Sequence, residues 1–146
     1  MSLVVDASAA LATVLPDEDS AYARAAVALA SREGLVVPAL WPYEIQSGLA
    51  TALRRGRIGA DSVQQALDAL RELRAQLEAP QGLGQELRLA QAHGLTPYDA
   101  AYLGVALNMG KMLATNDLQL RRAAESLGVV LFAEPSSKPK PPRRRG

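Results

Sequence analysis

Short apolar runs alternate with long amphipathic stretches along this chain, and that alternation limits its fold more than any other feature. Leu3-Val4-Val5, Leu35-Val36-Val37, Met112-Leu113-Ala114 and Val129-Val130-Leu131 are too short for helices and read as buried strands. Gln76 to Ala79 is a weaker fifth candidate. Helical spacing predicts helices from Ala7 to Leu15, from Ser20 to about Ser31, and from Pro42 through Ile45, Leu49 and Leu53 to Arg55. Further helices are predicted from Asp61 or Ser62 through Leu73, and over 83–92, 97–109 and 118–127. Pro16 ends the first helix, Pro42 and Pro97 suit first helical turns, and Gly94 and Gly110 are stop signals. Strands that alternate with helices predict an α/β chain with a mostly parallel sheet.

Such a sheet needs a core, and 146 residues with 49% apolar side chains are enough for one domain. One Trp, four Tyr and one Phe are its only aromatics, so Leu, Val and Ala must fill that core. The absence of cysteine excludes disulfides and thiolate metal sites. The start, Met-Ser-Leu-Val-Val-Asp, does not read as a signal peptide, and no stretch approaches a membrane span. The expected location is the cytoplasm.

The net charge of +1 conceals a division of the chain. Lys138, Lys140, Arg143, Arg144 and Arg145 all lie in residues 135–146, a basic, Pro-rich segment with nothing to bury, expected to be a disordered tail. Residues 1–134, the expected domain, keep 11 basic against 15 acidic side chains, a net of −4. Bulk charge therefore argues against nucleic-acid binding by the folded body, unless local cations or bound metal ions intervene.

Asp6, Glu44, Asp99 and Asp117 stand apart from most other acids because each lies at or near a predicted helix start, with Asp6 and Asp117 just past apolar strands. In an open parallel sheet, groups at the carboxyl ends of strands converge however distant they are in sequence. Two carboxylates ~5 Å apart repel by about 3 kcal/mol at an effective dielectric of 20, so such a cluster must protonate or recruit a hard cation. Each acid also has an ordinary local role: Asp6 and Asp117 as helix caps, Glu44 in a first turn after Pro42, and Asp99 in the capping segment Thr96-Pro97-Tyr98-Asp99. Spacing alone leaves both readings open.

The segments themselves carry more. Val4-Val5-Asp6-Ala7-Ser8-Ala9, Pro42-Tyr43-Glu44-Ile45, Thr96-Pro97-Tyr98-Asp99-Ala100-Ala101-Tyr102-Leu103 and Leu113-Ala114-Thr115-Asn116-Asp117 resemble, in order, the motifs of VapC-type PIN domains. The resemblance spans about residues 3–132. It implies a three-layer α/β/α fold around a central, mostly parallel five-stranded sheet. It also implies a toxin of a type II toxin–antitoxin system: a Mg²⁺-dependent endoribonuclease, with Mn²⁺ able to substitute. Asp6, Glu44, Asp99 and Asp117 become the acidic, metal-holding quartet. Asp6 and Asp99 are implied as direct ligands, Glu44 as a ligand or water-orienting group, and Asp117 as an outer or second-metal group. Ser8, Thr115 and Asn116 are candidate donors around those ligands, or simply caps. The implied partners are RNA, a VapB-type antitoxin and a second copy of the chain in a homodimer, with no membrane.

Other classes fit less well. A PIN nuclease serving RNA processing without an antitoxin, one acting on DNA, and an inactive PIN-like binding module share the same motifs. A phosphoacceptor receiver domain requires paired acids after its first strand and a Lys after its fifth; here Asp6 stands alone and Lys111 precedes its strand. With His93 the only histidine, a two-histidine ribonuclease mechanism is excluded, and its place beside Gly94 suits a helix end. Gly82-Leu83-Gly84 lacks the context of a nucleotide-binding loop. Arg54, Arg55, Arg57, Arg121 and Arg122 are candidate phosphate contacts or a solvated face, and Trp41 is expected to anchor the Glu44 helix.

Overall fold

The computed structural model describes residues 1–134; the basic tail expected beyond them lies outside the described residues. The order is β1 (Val4–Val5), α1 (Ala7–Ala12), α2 (Ala21–Glu33), β2 (Val36–Pro38), α3 (Trp41–Arg54), α4 (Ala60–Arg71), β3 (Gln76–Glu78), α5 (Gln85–His93), α6 (Pro97–Met109), β4 (Leu113–Ala114) and α7 (Leu118–Ser126). The strands are parallel: β1 pairs with β4 and β2 with β3, while a bridge between Leu3 and Leu35 joins the two pairs. Leu131 extends the sheet beyond β4 by a parallel bridge to Leu113. The order across the sheet is therefore β3, β2, β1, β4 and the segment at Leu131.

The strand expected at Val129-Val130-Leu131 is shorter than its apolar run suggests. It is held by the Leu113 N–H donating to the Val130 carbonyl (3.0 Å) and the Phe132 N–H donating to the Leu113 carbonyl (2.9 Å). Val130 is exposed, as fits an edge. Two helix starts also differ. Gly59, not Asp61 or Ser62, is the residue before α4, and α3 begins one residue ahead of Pro42.

The strand order explains the layers. From β1 to β2 to β3 the chain steps in one direction, then crosses back to β4 and continues outward. Right-handed crossovers place α1 to α4 on one face and α5 to α7 on the other. The packing agrees: α1 lies on α2 and α3, whereas α6 lies on α5, α7, β1, β2 and β4. The sheet is thus the middle layer of an α/β/α sandwich. Leu3, Val4, Val5, Leu35, Val36, Val37, Leu103, Leu113 and Leu120 form its buried centre. Trp41 is buried at the start of α3, the anchoring position expected of it. Gly48 allows α3 to approach α1 closely, since a Cβ there would run into the Leu11 side chain.

β1 and β4 are neighbours although the chain leaves them in opposite directions. This is the switch point at which open α/β sheets bind ligands, beyond the carboxyl ends of the strands. No helix among the described residues is long and apolar enough to cross a membrane.

Candidate active site

The β1–β4 register dictates the centre of the site. Val4 lies beside Leu113 and Val5 beside Ala114, so the next residues, Asp6 and Thr115, emerge side by side. The Thr115 hydroxyl donates to Asp6 Oδ2, and the Asp6 N–H donates to the Ala114 carbonyl at 3.2 Å. Asp6 also caps α1, its Oδ1 accepting from the Ala9 N–H at 2.8 Å. The capping role foreseen for it is therefore filled by a carboxylate that also accepts from Thr115 across the sheet.

Asp117 follows two residues beyond Thr115, and its N–H donates to the Thr115 hydroxyl oxygen at 3.0 Å. Its Oδ1 caps α7 through the Leu120 N–H at 2.8 Å. Asp99 enters from α6, where Thr96 caps the helix by accepting from the Asp99 N–H at 3.1 Å. Pro97 fits that first turn because it has no N–H to leave unpaired. Glu44 enters from the first turn of α3, and its Oε1 accepts from the Tyr102 hydroxyl at 2.6 Å.

Electrostatics show that these groups share one region. Burial pushes the Asp6 carboxyl above its usual range, opposed by the hydrogen bonds from Thr115 and Ala9 and reinforced by the charges of Asp99 and Asp117. Asp99 is likewise raised, first by desolvation and then by the charge of Asp117. The Tyr102 hydroxyl is held firmly protonated by burial, by its bond to Glu44, and by the charges of Glu44 and Asp6. Among the described residues, the ion pairs lie elsewhere, and none includes Asp6, Glu44, Asp99 or Asp117.

The donor chemistry fits a hard cation: carboxylate and hydroxyl oxygens, no thiolate, and the single imidazole of His93 at the far end of α5. Among the described residues no three His, Asp or Glu side chains already close around one point. Asp6 gives both its oxygens, and Asp117 and Glu44 one each, to protein donors. Each such oxygen keeps a second lone pair, so capping and coordination are compatible.

Ser8 and Asn116 are exposed and make no side-chain hydrogen bond among the described residues, whereas Thr115 is fully buried against Asp6. Arg121 turns inward: it donates to the Thr115 carbonyl at 2.9 Å and lies over the Tyr22 ring, 5.4 Å from its centroid. Tyr102 had no assigned role in the sequence. Its signal was its place three residues after Asp99, on the same side of a helix.

The sequence matches the PIN domain over residues 3–126. The chain belongs to the PIN-domain family. It is 38% identical over 123 residues to Ribonuclease VapC3 of Pyrobaculum aerophilum, covering 82% of this chain and 92% of that one. It is 39% identical over 118 residues to Ribonuclease VapC9 of Mycobacterium tuberculosis, covering 81% and 87%. Among solved structures, PAE2754 from Pyrobaculum aerophilum superposes with a TM-score of 0.69 at 29% identity, over 89% of this chain and 83% of that one. This PIN domain is of the VapC type, and its α/β architecture is that of the family.

Proposed function

We propose that this PIN domain is a divalent-metal-dependent endoribonuclease and the toxin of a type II toxin–antitoxin pair, acting on RNA in the cytoplasm. One observation carries the reading. Asp6 and Asp117 meet through the Thr115 hydroxyl at the switch point of the sheet, the charges of Asp99 and Asp117 raise the Asp6 carboxyl, and no protein cation is paired to any of them among the described residues. The relatives named Ribonuclease VapC3 and VapC9 support RNA as the substrate and a VapB-type antitoxin as the partner. A homodimer is proposed with them.

Asp6 and Asp99 would hold the cation directly, with Glu44 and Asp117 completing its surroundings. Bound Mg²⁺ or Mn²⁺ would supply Lewis acidity toward the phosphoryl group and lower the pKa of the attacking water. Thr115 fixes the orientation of the Asp6 carboxylate. Glu44 Oε2, which accepts no hydrogen bond among the described residues, is available to orient the water and take its proton. Ser8 and Asn116, exposed at the starts of α1 and α7, are proposed as polar neighbours of the substrate.

Cleavage of total cellular RNA by highly purified protein, mapped by sequencing the new ends, tests this reading. Site-specific cleavage with Mg²⁺ or Mn²⁺ that Asp6→Asn abolishes is expected. Cleavage that Asp6→Asn leaves intact would exclude it.

A further inference from the structure

Tyr102 is 2% exposed, yet its hydroxyl is aimed at one carboxylate 58 residues away in sequence. A buried phenol needs a partner, and any nearby backbone carbonyl would serve. Here the partner is the Glu44 side chain on α3, at 2.6 Å. The Asp6 charge and the Ala7 N–H at the start of α1 both act on the Tyr102 hydroxyl. Tyr102 itself stands on α6, three residues after Asp99. One rigid side chain therefore ties the helix that carries Asp99 to the helix that carries Glu44.

This has a consequence for Glu44. A glutamate in a first helical turn has three rotatable side-chain torsions, and Glu44 is only half-buried, so its carboxylate would otherwise swing toward water. A hydrogen bond from the Tyr102 hydroxyl to Oε1 removes that freedom and leaves Oε2 without a hydrogen bond among the described residues. We infer that Tyr102 is a positioning residue, whose hydroxyl holds the Glu44 carboxylate in register with Asp6 and Asp99 so that the acidic site can bind a divalent cation. The inference rests on the metal-site reading above.

Mn²⁺ alone is the probe, titrated by calorimetry or electron paramagnetic resonance into the metal-stripped full chain. Tyr102→Phe keeps the ring and removes only the hydroxyl. It is expected to weaken Mn²⁺ binding about tenfold, the scale of one lost hydrogen bond to a charged group. In a Glu44→Gln background the same substitution should have almost no further effect, because the bond acts only through that carboxylate. Glu44→Asp, too short to meet the phenol in place, should resemble Tyr102→Phe. Wild-type Mn²⁺ affinity in Tyr102→Phe, an equal effect in both backgrounds, or unfolding of metal-free Tyr102→Phe would overturn the inference. Asp6→Asn measured in parallel separates the two levels. If it too binds Mn²⁺ like the wild type, the metal-site reading fails; if it loses Mn²⁺ while Tyr102→Phe does not, only the role of Tyr102 fails.

Discussion

The Thr115 hydroxyl donates to the Asp6 carboxylate across the β1–β4 pair, joining residues 109 positions apart. Both side chains are buried, so the bond is shielded from solvent competition. Thr115→Val keeps the shape and removes both the donor to Asp6 and the acceptor of the Asp117 N–H. It should destabilise the metal-free protein by about 1–3 kcal/mol, the cost of leaving a buried carboxylate and a backbone N–H each short of a partner. Urea denaturation in EDTA measures it; an unchanged midpoint would mean that the bond contributes nothing.

Asp6→Asn distinguishes a cap from a ligand. Asparagine caps helices as well as aspartate, so α1 should keep its Ala9 bond while the repulsion from Asp99 and Asp117 disappears. The metal-free variant exchanges the Thr115 bond for relief of that repulsion and should melt close to the wild type, and cleavage should fall by about a hundredfold or more. A variant that melts lower but cleaves normally would return Asp6 to a purely structural role.

The raised Asp6 and Asp99 carboxyls give a pH dependence with a definite sign. A carboxyl raised in the folded state takes up its proton more readily there than in the unfolded chain. Its contribution is fully favourable below the unfolded value and is lost as pH rises through the folded one. Metal-free protein should therefore gain stability as pH falls from 7 toward the ordinary carboxylate range. Asp17, lowered by its bond with Arg57, and Glu33, lowered by the N-terminus, act oppositely, losing stability only below that range. Thermal melts in EDTA between pH 7 and 5 test this, and Asp6→Asn should flatten the slope. A wild-type melting temperature that falls steadily on acidification would contradict it.

Arg121 was open to two readings in the sequence, phosphate contact or solvated surface, and the structure gives it a third. Its guanidinium bonds the Thr115 carbonyl and covers Tyr22, whose hydroxyl donates to the Phe132 carbonyl at 2.9 Å. Arg121→Ala should cost about 1 kcal/mol of stability, and Arg121→Lys should recover little of it, because an ammonium cannot reproduce the planar contact. Urea midpoints of the two variants decide it; a full rescue by lysine would mean that charge alone matters.

These cases show what the sequence made legible. Helix stop signals were readable: Gly94 and Gly110 cap α5 and α6 in left-handed conformations at φ 66° and 64°, which glycine adopts without strain, although α5 starts two residues later and ends one residue later than its pattern predicts. The acids were readable because each sits at a strand or helix end. Register was not, since nothing local in Val4-Val5 or Leu113-Ala114 specifies that Asp6 meets Thr115. The same holds for Tyr102 and Arg121, whose partners Glu44 and Thr115 are set by tertiary placement and not by neighbouring residues. The strand expected at Val129-Val130-Leu131 shrinks to a bridge at Leu131, because an apolar run reports burial, not the number of ladder bonds.

Dependence on a divalent cation, exercised through the four acids, is tested most directly by mapping RNA cleavage with wild type and Asp99→Asn in Mg²⁺, in Mn²⁺ and in excess EDTA. Asp99→Asn leaves the Thr96 cap intact, because the bond there uses the backbone N–H. Wild type should cut at defined positions with either cation and not in EDTA, and Asp99→Asn should cut under none of the three conditions. Undiminished, site-specific cleavage by wild type in EDTA, or by Asp99→Asn in Mg²⁺, would contradict a metal-dependent acidic site.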